Sequence, residues 1–187
     1  MILLKKILVA TDFGEASDAA LEYGRDLGRT YEATLHVLHV TENVYARYAD
    51  DGSIAFLPEM QSDIERAARK RMEGLVTDED RTMLRAEPVV LTALGTAEAI
   101  VEYAKAHAVD IIVMGTHGRR ALAHLLMGSV AERVVRMAPC PVLTVRHPQH
   151  EFVVPDALVA VSSGLAQDSN RSTEESDVQP GVFLETS

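Results

Sequence analysis

Ile111-Ile112-Val113-Met114-Gly115-Thr116-His117-Gly118 is followed, after nine further residues, by Gly128-Ser129-Val130. Four apolar residues run straight into a glycine, and past the last glycine Val130, Val134 and Val135 take helical spacing. The stretch reads as a strand, a glycine-punctuated loop and the start of a helix. Glycine lets backbone N–H groups come close to a ligand, and a helix N-terminus adds positive partial charge. That combination suits a phosphate.

The same alternation recurs on either side. Ile7-Leu8-Val9-Ala10 is a short continuous apolar run, as in a parallel strand buried on both faces, and it ends at Thr11-Asp12-Phe13-Gly14. Ser17 is placed to cap a helix carrying Ala20, Tyr23, Gly24 and Leu27 on one face, with Gly28 as a stop signal. Residues 35–40 form a second strand, and residues 41–58 a mixed loop with a short helical turn. Pro58 opens a charged helix reaching about Val76, with Ile64, Ala67, Ala68 and Met72 on one face. The charges of Glu65, Arg66, Arg69, Lys70 and Arg71 read as its solvated side. A third strand spans residues 89–92, and Gly95-Thr96 starts a helix through Ile100, Val101 and Ala104. Strand four is residues 111–114 and strand five residues 141–145. Strands alternating with helices predict an α/β fold, with an open five-stranded parallel sheet, helices on both faces and right-handed crossovers. The expected architecture is a single Rossmann-like domain of strand order 3-2-1-4-5. In that order strands one and four are neighbours at the topological switch point, so Asp12 and Gly115 end at one ligand crevice.

The apolar fraction of 47% and the charged fraction of 25% are those of an ordinary globular chain. The net charge of -10 is uneven. Residues 147–187 carry seven acids (Glu151, Asp156, Asp168, Glu174, Glu175, Asp177, Glu185) against Arg171 alone, net -6, which leaves -4 on residues 1–146. An acidic chain argues against a non-specific nucleic-acid binder and against an anionic membrane surface. Cys140 is the single cysteine, so no internal disulfide forms. The lysines at 5 and 6 follow rather than precede the first apolar residues, unlike a secretory leader, and no stretch has the roughly 20 apolar residues of a membrane span. A cytoplasmic location is expected. The domain boundary is placed at residues 1–146. The Ser- and Glu-rich segment 147–187, broken by short apolar islands at 157–161 and 182–184, reads as a disordered acidic tail that could engage a protein partner.

Gly115-Thr116-His117-Gly118, nine residues, then Gly128-Ser129 resembles the G-x2-G-x9-G-[S/T] signature of the universal stress protein family, in its ATP-binding branch. Ala10-Thr11-Asp12 is similar to that family's first motif, and Ala138-Pro139-Cys140-Pro141-Val142-Leu143 to its last strand. The likeness covers roughly residues 3–146. It implies that Asp12 and Val40 contact adenine, with Ala10 and Thr11 lining the pocket and Met114 and Gly115 against the ribose. Gly118, Gly128, Ser129 and Val130 would hold the phosphates, and Arg119 would add charge beside them. The resemblance further implies ATP with Mg or Mn, and a homodimer paired through the fifth strands.

Plain alternatives stand beside these roles. Asp12 alone would serve as a helix cap, and Val40 and Met114 as ordinary core residues. His36 and His39, three apart on a strand, point to opposite faces and cannot form a metal-ligand pair there. His117 lies between two loop glycines with no carboxylate placed in sequence to orient it, and Cys140 reads as a buried small residue. No G-x-x-x-x-G-K-[ST] and no G-x-G-x-x-G after strand one occur, so neither a P-loop lysine nor a dinucleotide fingerprint is present. A nucleotide-binding regulatory protein with at most slow hydrolysis is therefore expected; a true ATP-hydrolysing enzyme and a scaffold using the acidic tail are the alternatives.

Overall fold

The computed structural model describes residues 2–48, 56–116 and 127–146. The chain divides into two units, Met1–His150 and Glu151–Ser187; every described residue lies in the first. The expected disordered tail therefore falls outside the described residues.

The strands are β1 (Lys6–Ala10), β2 (Thr34–Glu42), β3 (Glu87–Ala93), β4 (Ile111–Gly115) and β5 (Val142–Val145). The helices are α1 (Glu15–Tyr31), α2 (Val44–Arg47), α3 (Leu57–Leu75), α4 (Asp78–Met83), α5 (Thr96–Ala106) and α6 (Ser129–Met137). All strand pairs are parallel, as the alternation predicts, and the order is the expected Rossmann-like β3-β2-β1-β4-β5. β1 is the centre, with Ala10 beside Leu38 on one flank and beside Met114 on the other.

Alternation along the strands sorts the core into two layers. Ile7, Val9, Leu35, Val37 and Val113 face α1 and the end of α3, meeting Ala20, Leu21, Met72 and Val76. Leu8, Ala10, Leu38, Ile112 and Met114 face α5 and α6, meeting Ile100, Ala104, Ala131 and Val134. Continuous apolar runs in β1 and β4 are thus explained by burial on both faces.

Several local expectations are corrected. Ser17 helps cap α1, but not as the N-cap residue. Gly14 is the N-cap and Ser17 sits at the third helical position, where its hydroxyl accepts from the Gly14 amide at 3.1 Å and donates to the Gly14 carbonyl at 2.8 Å. Gly28 does not stop the helix, which runs on to Tyr31 and ends at Glu32 in the left-handed region (φ 53°). Gly28 instead lies against Leu84, to whose Cδ2 an added Cβ would come within 3.1 Å. Close packing, not termination, explains that glycine. Ala67 faces solvent while Ala68 and Met72 carry the buried stripe of α3. Glu65 is only partly a solvated charge, because it accepts from the Thr92 hydroxyl at 2.8 Å and from Gln61 at 3.2 Å, and these bonds hold its carboxyl below the ordinary range.

α4 was not visible as an apolar pattern, since Asp78-Glu79-Asp80-Arg81-Thr82-Met83 has none. A capping box makes it: Thr77 Oγ1 accepts from the Asp80 amide at 3.1 Å, and Asp80 accepts from the Thr77 amide at 3.0 Å. Asp80 is buried, and Arg25 of α1 clasps both its oxygens at 2.9 and 2.7 Å while also donating to the Leu75 carbonyl at 3.0 Å. Burial alone would raise the Asp80 carboxyl; the Arg25 guanidinium and the Thr77 amide outweigh it and hold the group below its ordinary value. Removing one member of such a pair leaves the other charge uncompensated, so Asp80→Asn is expected to lower unfolding free energy by about 3 kcal/mol in denaturant titration. Because the folded-state pKa is depressed, this stabilisation is present above the unfolded value of about 4 and is lost as the pH falls through the folded one. The wild-type and Asp80→Asn stabilities should therefore converge in acid.

Candidate functional site

The carboxyl ends of β1 and β4 lie side by side, Ala10 opposite Met114, and both residues are buried. From β1 the chain turns through Thr11-Asp12-Phe13-Gly14 into α1. The Thr11 amide still donates to the Leu38 carbonyl at 2.9 Å, so the turn starts from a fixed sheet position. Thr11 Oγ1 accepts from the Phe13 amide at 2.9 Å and lies 3.0 Å from Ser17 Oγ. Since Ser17 spends its proton on the Gly14 carbonyl, the Thr11 hydroxyl is the donor of that pair. Asp12 Oδ1 accepts from the Gly14 amide at 3.1 Å, an Asx turn. Phe13 takes φ 60°, a left-handed conformation uncommon for an aromatic residue. The helix-cap alternative for Asp12 thus holds in part: it braces the turn before α1, while Gly14 is the cap.

β2 outruns β1. Val40, half-buried and paired with Leu91, stands two positions beyond Leu38 and walls the crevice on that flank. On the other flank Gly115 closes β4 beside Val145, and the Thr116 amide donates to the Val145 carbonyl at 2.7 Å. The Thr116 carbonyl then accepts from the Gly128 amide at 2.7 Å, bringing the N-cap of α6 back to the end of β4. Ser129 is exposed and Val130 half-buried in the first turn, where helical geometry leaves the leading amides without intrahelical acceptors. Ala10, Thr11, Asp12, Val40, Met114, Gly115, Gly128, Ser129 and Val130 accordingly all sit at the carboxyl edge of the sheet. Gly118, Arg119 and His117 fall outside the described residues.

His36 and His39 do point to opposite faces. His36 is buried, its Nδ1 2.9 Å from the Tyr103 hydroxyl and 3.5 Å from Glu87 Oε2. Burial pushes its pKa down against the pull of Glu87. His39 lies on the α1 and α3 face, its Nδ1 2.8 Å from the Thr11 carbonyl and its ring 4.3 Å from that of Phe13. Among the described residues no three His, Cys, Asp or Glu side chains gather as a metal site. Cys140 is half-buried, and burial pushes its thiol up, away from thiolate chemistry. Phe13 and Arg71 carry no local sequence signal for this site, because they act through contacts with residues far away in the chain; Ser17 carried one, as a capping hydroxyl, and acts locally through Gly14 and Thr11.

A parallel sheet with a crevice at its switch point defines a Rossmann-like domain. The universal stress protein family pattern matches residues 4–146. The universal stress protein MJ0531 of Methanocaldococcus jannaschii is 30% identical over 154 residues, covering 80% of this chain and 86% of its own length. One from Thermus aquaticus is 34% identical over 148 residues, covering 77% and 100% respectively. Among solved structures, MJ0577 of M. jannaschii is similar with a TM-score of 0.66 at 27% identity, over 78% of this chain and 98% of that one. A universal stress protein solved in complex with cAMP shares the fold, with a TM-score of 0.51 at 23% identity over 78% of this chain and 98% of that one. The chain belongs to the universal stress protein family. Among the described residues, no helix is long and apolar enough to cross a membrane.

Gly115 is a packing residue. A Cβ there would come within 2.9 Å of both the carbonyl carbon and the Cβ of Ala16, so α1 rests directly on the end of β4. Gly115→Ala is expected to push the first turn of α1 outward and to destabilise the fold by about 1–3 kcal/mol in urea unfolding, as overpacking does. An unchanged midpoint would show that α1 can shift freely.

Proposed function

We propose that this crevice binds an adenine nucleotide, ATP foremost, and that the protein is a nucleotide-dependent regulator with at most slow hydrolysis. In this reading Asp12 and Val40 meet the adenine, with Ala10 and Thr11 lining the pocket and Met114 and Gly115 against the ribose. Gly118, Gly128, Ser129 and Val130 hold the phosphates, and Arg119 adds positive charge. The supporting observation is the Gly128–Thr116 hydrogen bond of 2.7 Å, which holds the amide-rich start of α6 at the end of β4. Beside it, Asp12 presents a carboxylate suited to the amino and ring donors of a base or a ribose hydroxyl. The described residues offer no cluster of metal ligands, so Mg or Mn would be held chiefly by triphosphate oxygens and water, supplying charge neutralisation. That a protein of this fold was solved with cAMP supports the adenine preference.

The same reading assigns residues 1–146 to the nucleotide domain and residues 147–187 to an acidic segment available to a protein partner. Among the described residues β5 is an edge strand, and an edge suits pairing with a second copy.

Protein purified from cells and then denatured should release an adenine nucleotide detectable by chromatography. Stripped protein should gain thermal stability with ATP and Mg, by about 2.7 kcal/mol at a concentration one hundred times Kd. Gly118→Val should abolish that shift, because a branched side chain occupies phosphate space and restricts φ. No released nucleotide and no shift together would sink the proposal.

A further inference from the structure

The turn that carries Asp12 is gripped from two other elements. From β2, His39 Nδ1 lies 2.8 Å from the Thr11 carbonyl. A carbonyl only accepts, so Nδ1 carries the proton and the imidazole tautomer is set by this bond. The same ring lies against one side of Phe13, with centroids 4.3 Å apart. From α3, the Arg71 guanidinium sits 4.4 Å from the Phe13 ring centroid, and its Nη2 reaches the Phe13 carbonyl at 3.5 Å. The carbonyl before Asp12 and the carbonyl of the residue after it are therefore both held by cationic or polar side chains from outside the turn. Phe13 itself stands at φ 60°, a conformation that persists only where its surroundings impose it.

We propose that His39, Phe13 and Arg71 form a positioning stack that fixes the Asp12 carboxylate for recognition of the nucleotide base, with His39 as its principal member. This rests on the nucleotide reading above. Held in this way, Asp12 meets the base without first losing backbone freedom, so the stack contributes affinity by preorganisation. None of the three needs to touch the ligand for that. Two stack members come from β2 and α3, so occupancy of the crevice is coupled to the seat of α3 against β2.

The test uses the full chain, ATP with Mg by titration calorimetry, and amide hydrogen exchange without nucleotide. His39→Leu keeps an apolar side chain against Phe13 but removes the donor. It should weaken ATP binding about tenfold, the range for a lost hydrogen bond and its knock-on disorder. Exchange at the Phe13 and Gly14 amides should accelerate by a similar factor, with exchange at Val113 in β4 unchanged. His39→Asn, whose amide can donate where Nδ1 does, should restore both. Arg71 is exposed, so Arg71→Gln tests the stack without endangering the fold, and about a threefold loss of ATP affinity is expected for a solvent-side cation–π contact. Unchanged ATP affinity in His39→Leu and Arg71→Gln would overturn the proposal. So would exchange rising equally at Val113, or a failure of His39→Asn to rescue, since either marks general loosening. A wild-type chain that binds no adenine nucleotide would remove the functional reading and this role with it; a binding wild type with indifferent variants removes the stack alone.

Discussion

The architecture depends on how closely α1 lies on the centre of the sheet. Gly24 faces Val9 with no room for a Cβ, and Gly115 meets the backbone of Ala16 in the same way. Two glycines, one on the helix and one on a strand, remove the side chains that would hold the layers farther apart. Their intimacy has a functional outcome. It drives the first turn of α1 down to the carboxyl ends of β1 and β4, so the turn carrying Asp12 has to be short and tightly bonded. Thr11, Ser17 and Gly14 supply those bonds, and the left-handed Phe13 is the conformation that lets a four-residue turn make the corner.

The two ends of the sheet are built on different chemistry. At the carboxyl end, backbone amides and a carboxylate surround a crevice. At the opposite end, the strands are tied by side chains that face no ligand. Asp110 takes the amides of Lys5 and Lys6 at 2.7 and 2.9 Å, Lys6 Nζ reaches the His107 carbonyl at 2.8 Å, and Tyr103 stacks on His107 with centroids 3.9 Å apart while bonding His36. The rigid end fixes the register of β1 against β2 and β4. The carboxyl end is thereby relieved of setting the register.

Much of this was legible in the residues, for physical reasons that differ by element. β1 and β4 were plain because strands buried on both faces must be apolar without interruption. Alternation and handedness predict parallel strands but leave several strand orders open; 3-2-1-4-5 was expected from the Rossmann-like architecture. Ser17 and Gly28 were misread because a hydroxyl at the third helical position and one at the cap look alike in sequence, as do a stop glycine and a contact glycine. α4 was hidden because a capping box and an ion pair to Arg25, fifty-five residues away, replace the apolar stripe that periodicity detects. At the site, Asp12 and Gly115 could be paired from topology, whereas Arg71 looked like one more charge on a solvated helix. Its contact with Phe13 spans 58 residues and leaves no local mark.

The placement of β1 at the centre also dictates an order of events during synthesis. Its first partner, β2, follows after one helix, but its second, β4, begins only at Ile111. The half of the crevice carrying Asp12 thus exists for about 100 residues of translation without the half carrying Gly115, on the order of 5–20 s at ordinary elongation rates. Until β4 arrives, Lys6, Leu8 and Ala10 have an open hydrogen-bonding edge, and the small-residue face of α1 has half a sheet to lie on. The growing chain is most exposed to mispairing in that interval. A ligand that bridges the two halves cannot protect it until the second of them has emerged.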